Sequence, residues 1–263
     1  MANYFNVKLK PDLVDGDISK LIANDKTDTP FTADDILFDW QAIDVPSGTV
    51  RLESVTAYMI GEDGGAQPDK DFSLVFAKSV DGTAPTTLGE ENAAQTACFE
   101  LPLHFVGAIK IEATSASIPG LAFGTAFSWG AQGANGIDRS VIMSPEPISG
   151  TNVGYDKLYV AGFAGGAFDF STGVLSTGAI SADDNTTVEV DTVDARKAFQ
   201  KDDICYVHDV DTALGTVSSV TSGVITLTTN NVVAVANNDE IINATPITCL
   251  LYTSPSPRDR QKS

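Results

Sequence analysis

Few side chains in this sequence could do chemistry, and they are widely spaced. The two histidines are His104 and His208. His208 is followed by Asp209 and, three residues on, by Asp211, so a Ser-His-Asp arrangement is conceivable. Neighbouring residues of a strand point to opposite faces, however, which places His208 and Asp209 badly for pairing. His104 lies between Leu103 and Phe105 and reads as an edge or partly exposed strand residue. Cys205 and His208 are three apart, and no second Cys/His pair accompanies them, so the ligand set of a zinc site is incomplete. Hard cations take carboxylate oxygens, which turns attention to Asp69 and Asp71 near Glu62 and Asp63, to Asp209 and Asp211, and to Asp183, Asp184 and Asn185. None of these matches an EF-hand loop, and the ordinary role of Asp at such places is to build turns. The run Gly162–Gly166 has neither phosphate-loop pattern, so nucleotide binding has no support. Scattered carboxylates could serve a glycosidase, with Trp40 and Trp129 as sugar platforms. A Trp alternating with Phe along a strand is more simply core. No residue is assigned a catalytic, cofactor-binding or metal-ligating role, no cofactor is expected, and the chain reads as a non-enzyme.

The elements that would carry these residues are strands. The chain has 263 residues, 16 basic and 35 acidic side chains, and a formal net charge of −19. Asp outnumbers Glu by 26 to 9, and Thr is also abundant. Asp competes for backbone hydrogen bonds and belongs in turns, so this bias predicts a β-rich, turn-rich protein. The negative charge opposes binding to nucleic acid through its phosphates and docking on an anionic membrane. Two cysteines before residue 249, Cys98 and Cys205, make no disulfide framework. Residues 1–8 lack the apolar run of a signal peptide, and no stretch approaches the roughly 20 apolar residues of a membrane-spanning helix. The expectation is a soluble product made in the cytoplasm.

Residues 1–35 read as an N-terminal arm and first strand. Alternation of Ile36, Phe38 and Trp40, the run Thr49–Ile60, and Phe72, Leu74 and Phe76 predict strands. Residues 88–97 could hold one or two helical turns. Phe99–Phe105, Ala108–Ala113 and Leu121–Trp129 look strand-like. Turns recur about every ten residues, as in an antiparallel sandwich. The Gly/Ala-rich break at 130–136 and the Pro-interrupted Ser144–Pro147 suggest a domain boundary near residue 150. Small residues beside Phe in Gly162–Phe168 suggest tight β packing or a contact loop. Beyond it, Thr186–Val193, Ile204–Val207, Leu214–Val220, Val224–Thr228 and Asp239–Ile242 predict short strands, with one helical turn capped by Asp194. The predicted architecture is mainly β: an antiparallel β-sandwich over 36–150, then a smaller β-barrel or sandwich over 151–248.

The segment Cys249–Asp259 resembles the in-frame translation of a transposase-type sequencing adapter, so residues 249–263 are read as an artefactual tail and set aside from fold and site reasoning. That resemblance implies an environmental source. Phe38–Thr49 and Lys70–Ser79 resemble virion structural proteins of marine tailed bacteriophages of the cyanophage kind. Phe199–Val207 and Gly215–Val220 are similar to small β-modules of phage capsid and tail proteins, with Asp202 where such modules often carry Gly. The resemblance implies an assembly role in the virion, as a capsid decoration or outer head subunit, or else a shell, tail or fibre subunit. Its expected partners are copies of itself and other virion proteins. An acidic face suits the outside of a DNA-filled shell. Rival readings are a glycan-binding tail-spike module, with an exposed aromatic groove, and a surface-layer subunit, which would need an export signal.

Overall fold

The computed structural model describes residues 5–13, 31–46, 48–60, 70–95, 101–113, 117–121, 124–130, 141–147, 154–168, 170, 173–190, 194–208 and 210–255. The expectations concerning Glu62, Asp63, Asp69, Cys98, residues 131–136, the boundary at residue 150, Asp209 and residues 256–263 lie outside these.

The protein is mainly β, and among the described residues every strand pairing is antiparallel. One sheet joins β1 (Phe5–Leu9), β16 (Ile247–Pro255), β3 (Val50–Met59), β7 (Gly124–Gly130) and β6 (Ser117–Leu121) in that order, and β8 (Val141–Met143) pairs with the start of β3. A second sheet has the order β2 (Ile36–Asp44), β9 (Lys157–Ala164), β4 (Phe72–Ala77) and β5 (Phe105–Ile111). A third runs β10 (Gly173–Leu175), β15 (Glu240–Asn243), β12 (Ile204–Val207), β13 (Ala213–Val220), β14 (Val224–Leu227) and β11 (Thr187–Glu189). β9 lies beyond residue 150 yet sits between β2 and β4 of the second sheet. Residues 249–255, read from the sequence as part of an artefactual tail, belong to the strand between β1 and β3, with Cys249 and Leu251 buried.

Burial alternates along β4 as the sequence pattern predicts, whereas in β2 Ile36, Leu37 and Phe38 are all buried and Trp40 is only half-buried. Along β3, Val50, Leu52, Val55, Ala57 and Met59 are buried, and along β4 Phe72, Leu74 and Phe76 are. These inward faces meet in one core between the first two sheets. Phe72 meets Phe127 edge-on, with ring centroids 5.4 Å apart, and also meets Phe168 at 6.4 Å. Phe168 stacks on Phe170, which takes Phe31 edge-on. The Gly-Phe run is therefore tight packing. A Cβ on Gly162 would stand 2.4 Å from the ring of buried Phe38.

Residues 101–104, within the segment read as strand, depart from that reading. Leu101–His104 is a single helical turn and β5 begins only at Phe105. His104 is buried rather than at an edge, and its Nδ1 lies 2.8 Å from the Lys78 carbonyl oxygen. That contact satisfies the ring away from solvent, which local alternation does not reveal. Residues 88–95 form turns and irregular chain without a helix. The helical turn after Asp194 is present as a short 3₁₀ segment, Ala195–Lys197, whose first turn Asp194 caps by accepting the Arg196 N–H.

β12 and β15 are buried on both faces. Cys205, Val207 and Ile241 point into the core of the smaller unit. Tyr206, Ile242 and Ala244 point into the core of the sandwich. Period-2 geometry sends successive side chains to opposite sides, so a continuous apolar run is what a strand between two cores requires.

A tight turn at Asp81–Gly82, both with positive φ, is held by Glu146. Its carboxylate accepts from the Ser79 hydroxyl at 2.6 Å and from the Gly82 N–H at about 3 Å. The Ser79 hydroxyl foremost, and the backbone donors with it, hold the Glu146 carboxyl below its ordinary range. A depressed carboxylate stabilises the fold above its unfolded-state value, and that stabilisation is lost as pH falls through the folded-state value. Glu146→Gln should lower the melting temperature at pH 7, and the gap from the parent should shrink toward pH 3 in thermal melts. In the core, Gly162→Val should cost about 1–3 kcal/mol by overpacking against Phe38, read from urea unfolding midpoints.

Candidate functional site

A buried polar cluster sits where the N-terminal segment crosses the smaller unit. It contains Lys10, just after β1; Asp203, just before β12; Asn243, at the end of β15; and Thr245. Asp202, with φ of 69°, reverses the chain and delivers Asp203 into the interior. Asp can take this left-handed conformation, though Gly does so more readily. The strand register sets Asn243 opposite Cys205, two residues on from Asp203.

The side chains of Asp203 and Lys10 are 1% and 12% exposed, and the two form an ion pair through Asp203 Oδ1. Lys10 Nζ also donates to the Lys201 carbonyl at 3.3 Å. The other carboxylate oxygen, Oδ2, accepts the Gln200 N–H at 2.6 Å and Asn243 Nδ2 at 2.8 Å. Asn243 Nδ2 donates in addition to the Ala198 carbonyl at 2.7 Å. Its Oδ1 accepts the Thr245 N–H at 2.9 Å and the Thr245 hydroxyl at 3.4 Å. The amide is thereby fixed in orientation, since a carbonyl demands its nitrogen and an N–H demands its oxygen. Thr245 Oγ1 accepts the Ile204 N–H at 2.9 Å, leaving its own proton for the Asp203 or Asn243 oxygens. Burial pushes the Asp203 carboxyl up from its ordinary value, against the pull of Lys10.

Three further contacts tie the same N-terminal segment to the smaller unit. Lys8 pairs with Asp202 at 3.1 Å on the surface. The Leu13 N–H donates to the Ala244 carbonyl at 2.8 Å. The Tyr206 hydroxyl reaches Asp12 at 3.5 Å.

Among the described residues, the candidates read from the sequence lie elsewhere and do not converge. Cys205 is buried in the core of the smaller unit, where burial pushes its thiol up to about 12, and its Sγ donates to the Gly215 carbonyl at 3.2 Å. Such a thiol is no nucleophile at neutral pH. Cys205 and His208 lie an odd number of residues apart across β12 and its exit. The His208 N–H donates to the Glu240 carbonyl at 2.9 Å. Asp71 ties Lys110, at 2.6 Å, to the Ala113 N–H, at 3.0 Å. Asp183, with φ of 60°, shapes a turn that Asn230, Asn231 and Asn185 bind together. Asp211 is exposed. Among the described residues no three His, Cys, Asp or Glu side chains gather as metal ligands. Trp40 Nε1 donates to the Thr86 carbonyl at 3.0 Å while its ring packs beside Ile36, Leu88 and Ala161, and Trp129 packs on the main core.

The Lys10–Asp203–Asn243 cluster leaves no motif in the sequence, because its members are far apart in the chain. The one local signal was Asn243 itself, an amide in the otherwise apolar run Ile241-Ile242-Asn243-Ala244. Comparison with family models, curated proteins and solved structures returns no match.

Removing one partner of a buried pair leaves the other charge uncompensated. Asp203→Ala should therefore cost about 3–5 kcal/mol in urea unfolding, and the double replacement Lys10→Met with Asp203→Leu distinctly less.

Proposed function

We propose that this protein is a structural component of a tailed-phage virion, most simply a capsid decoration or outer head subunit that packs beside copies of itself and other virion proteins. The observation that carries the reading is an apolar rim on two adjoining edge strands. Among the described residues β5 ends the second sheet and β8 pairs only with β3. The two edges abut, since a Cβ on Gly107 of β5 would stand 2.6 Å from Val141 of β8. Phe105 and Ile142 on these strands are 49% and 56% exposed, and Leu103 in the helical turn just before β5 is 66% exposed. Large apolar side chains beside unpaired strand edges favour contact with another protein surface. The net charge of −19 keeps the rest of the surface solvated and sets it against packaged DNA. The phage-like segments Phe38–Thr49 and Phe199–Val207 supply the choice of particle. Their strands β2 and β12 are framework elements, consistent with an architectural role.

Mass spectrometry of purified particles carrying this gene should find the chain, and electron microscopy should place it on the outer surface of the head. The isolated protein should run as an oligomer in size-exclusion chromatography with light scattering. Phe105→Asp combined with Ile142→Asp should shift it to monomer without lowering its melting temperature. A monomeric parent chain absent from particles would refute the assignment.

A further inference from the structure

We propose that Lys10 and Asn243 become joined in the folded chain by an intramolecular amide bond, formed by the protein itself with Asp203 as the proton shuttle. Three features of the buried cluster fit this chemistry. The amine and the amide are both held on one carboxylate, Lys10 on Oδ1 and Asn243 Nδ2 on Oδ2 at 2.8 Å. The Asn243 carbonyl oxygen faces the Thr245 N–H at 2.9 Å and its hydroxyl at 3.4 Å, donors placed to stabilise negative charge on that oxygen. The nitrogen that must depart is the one bonded to Asp203.

In the reaction the Lys10 ammonium gives a proton to the Asp203 carboxylate and becomes a neutral amine. Burial raises the carboxyl and disfavours the charged pair, which eases this transfer. The Nζ lone pair attacks Asn243 Cγ, and the carbonyl π electrons move to Oδ1, opposite the Thr245 donors. The tetrahedral intermediate collapses as Asp203 passes a proton to Nδ2. The Cγ–Nδ2 bond breaks and ammonia leaves. The second amine proton returns through Asp203, which ends as it began. One Nζ–Cγ bond replaces one Cγ–Nδ2 bond, an ammonium ion is released in place of the lysine ammonium, and no oxidant or energy source is consumed. The competing condensation of Lys10 with Asp203 itself, releasing water, lacks a shuttle. The other groups on Asp203 are a backbone N–H, an amide and a hydroxyl.

The full chain, expressed and then denatured, should show an intact mass about 17 Da (one ammonia) below that of its sequence after allowance for Met1 removal. Proteolysis under denaturing conditions should yield a branched peptide joining the Lys10 and Asn243 segments. Lys10→Arg and Asp203→Asn should each restore the mass of their own sequence. Should those variants fail to fold, the parent mass and peptide map decide alone. A parent chain at full sequence mass overturns the proposal, as does a loss of about 18 Da (one water) mapped to Asp203.

Discussion

A carboxylate 1% exposed to solvent persists only where the protein replaces every water it has lost, and Asp203 is such a group. Its two oxygens are taken up by Lys10, the Gln200 N–H, Asn243 and Thr245, which come from the N-terminal segment, from the turn before β12 and from the end of β15. The path of the chain in all three places is constrained by that requirement. Asp202 accepts a left-handed backbone so that Asp203 can face inward, and the 3₁₀ turn after Asp194 carries the Ala198 carbonyl to the Asn243 amide. A half-satisfied version of this network would be worse than an apolar replacement, so its members stand or fall together.

The second constraint is the double use of β12 and β15. Their alternate residues fill two cores, so the smaller unit and the sandwich share a wall. Leu13 and the polar contacts of Lys8 and Asp12 lay the N-terminal segment against the same elements. The result is a body in which the segment near residue 10 and the strands near residues 203 and 243 are fixed relative to one another.

Much of this fold was legible from local pattern. β2, β3, β4, β12, β13 and β14 fall where alternation or a short apolar run placed them, because burial of one strand face has a period that survives in sequence. The Asp194 cap was visible for the same reason: its partner is two residues away. The helical turn at Leu101–His104 was not, since Pro102 and the Lys78 carbonyl, rather than periodicity, decide that segment. Nor was the buried cluster. The unbroken apolar run Ile204–Val207 fits a strand buried on both faces, but it does not name the two cores that the strand divides. Lys10, Asp203 and Asn243 have no mutual spacing to read, and only the register of β12 against β15 unites the last two.

The shared wall also bears on how such a protein can be reshuffled between genomes. A module that travels by recombination must close its own surface when cut free. Here excision of residues 173–245 would lay bare Tyr206, Ile242 and Ala244 on one side and open a hole in the sandwich on the other. Cut free, the smaller unit would therefore carry an apolar face that only the sandwich covers.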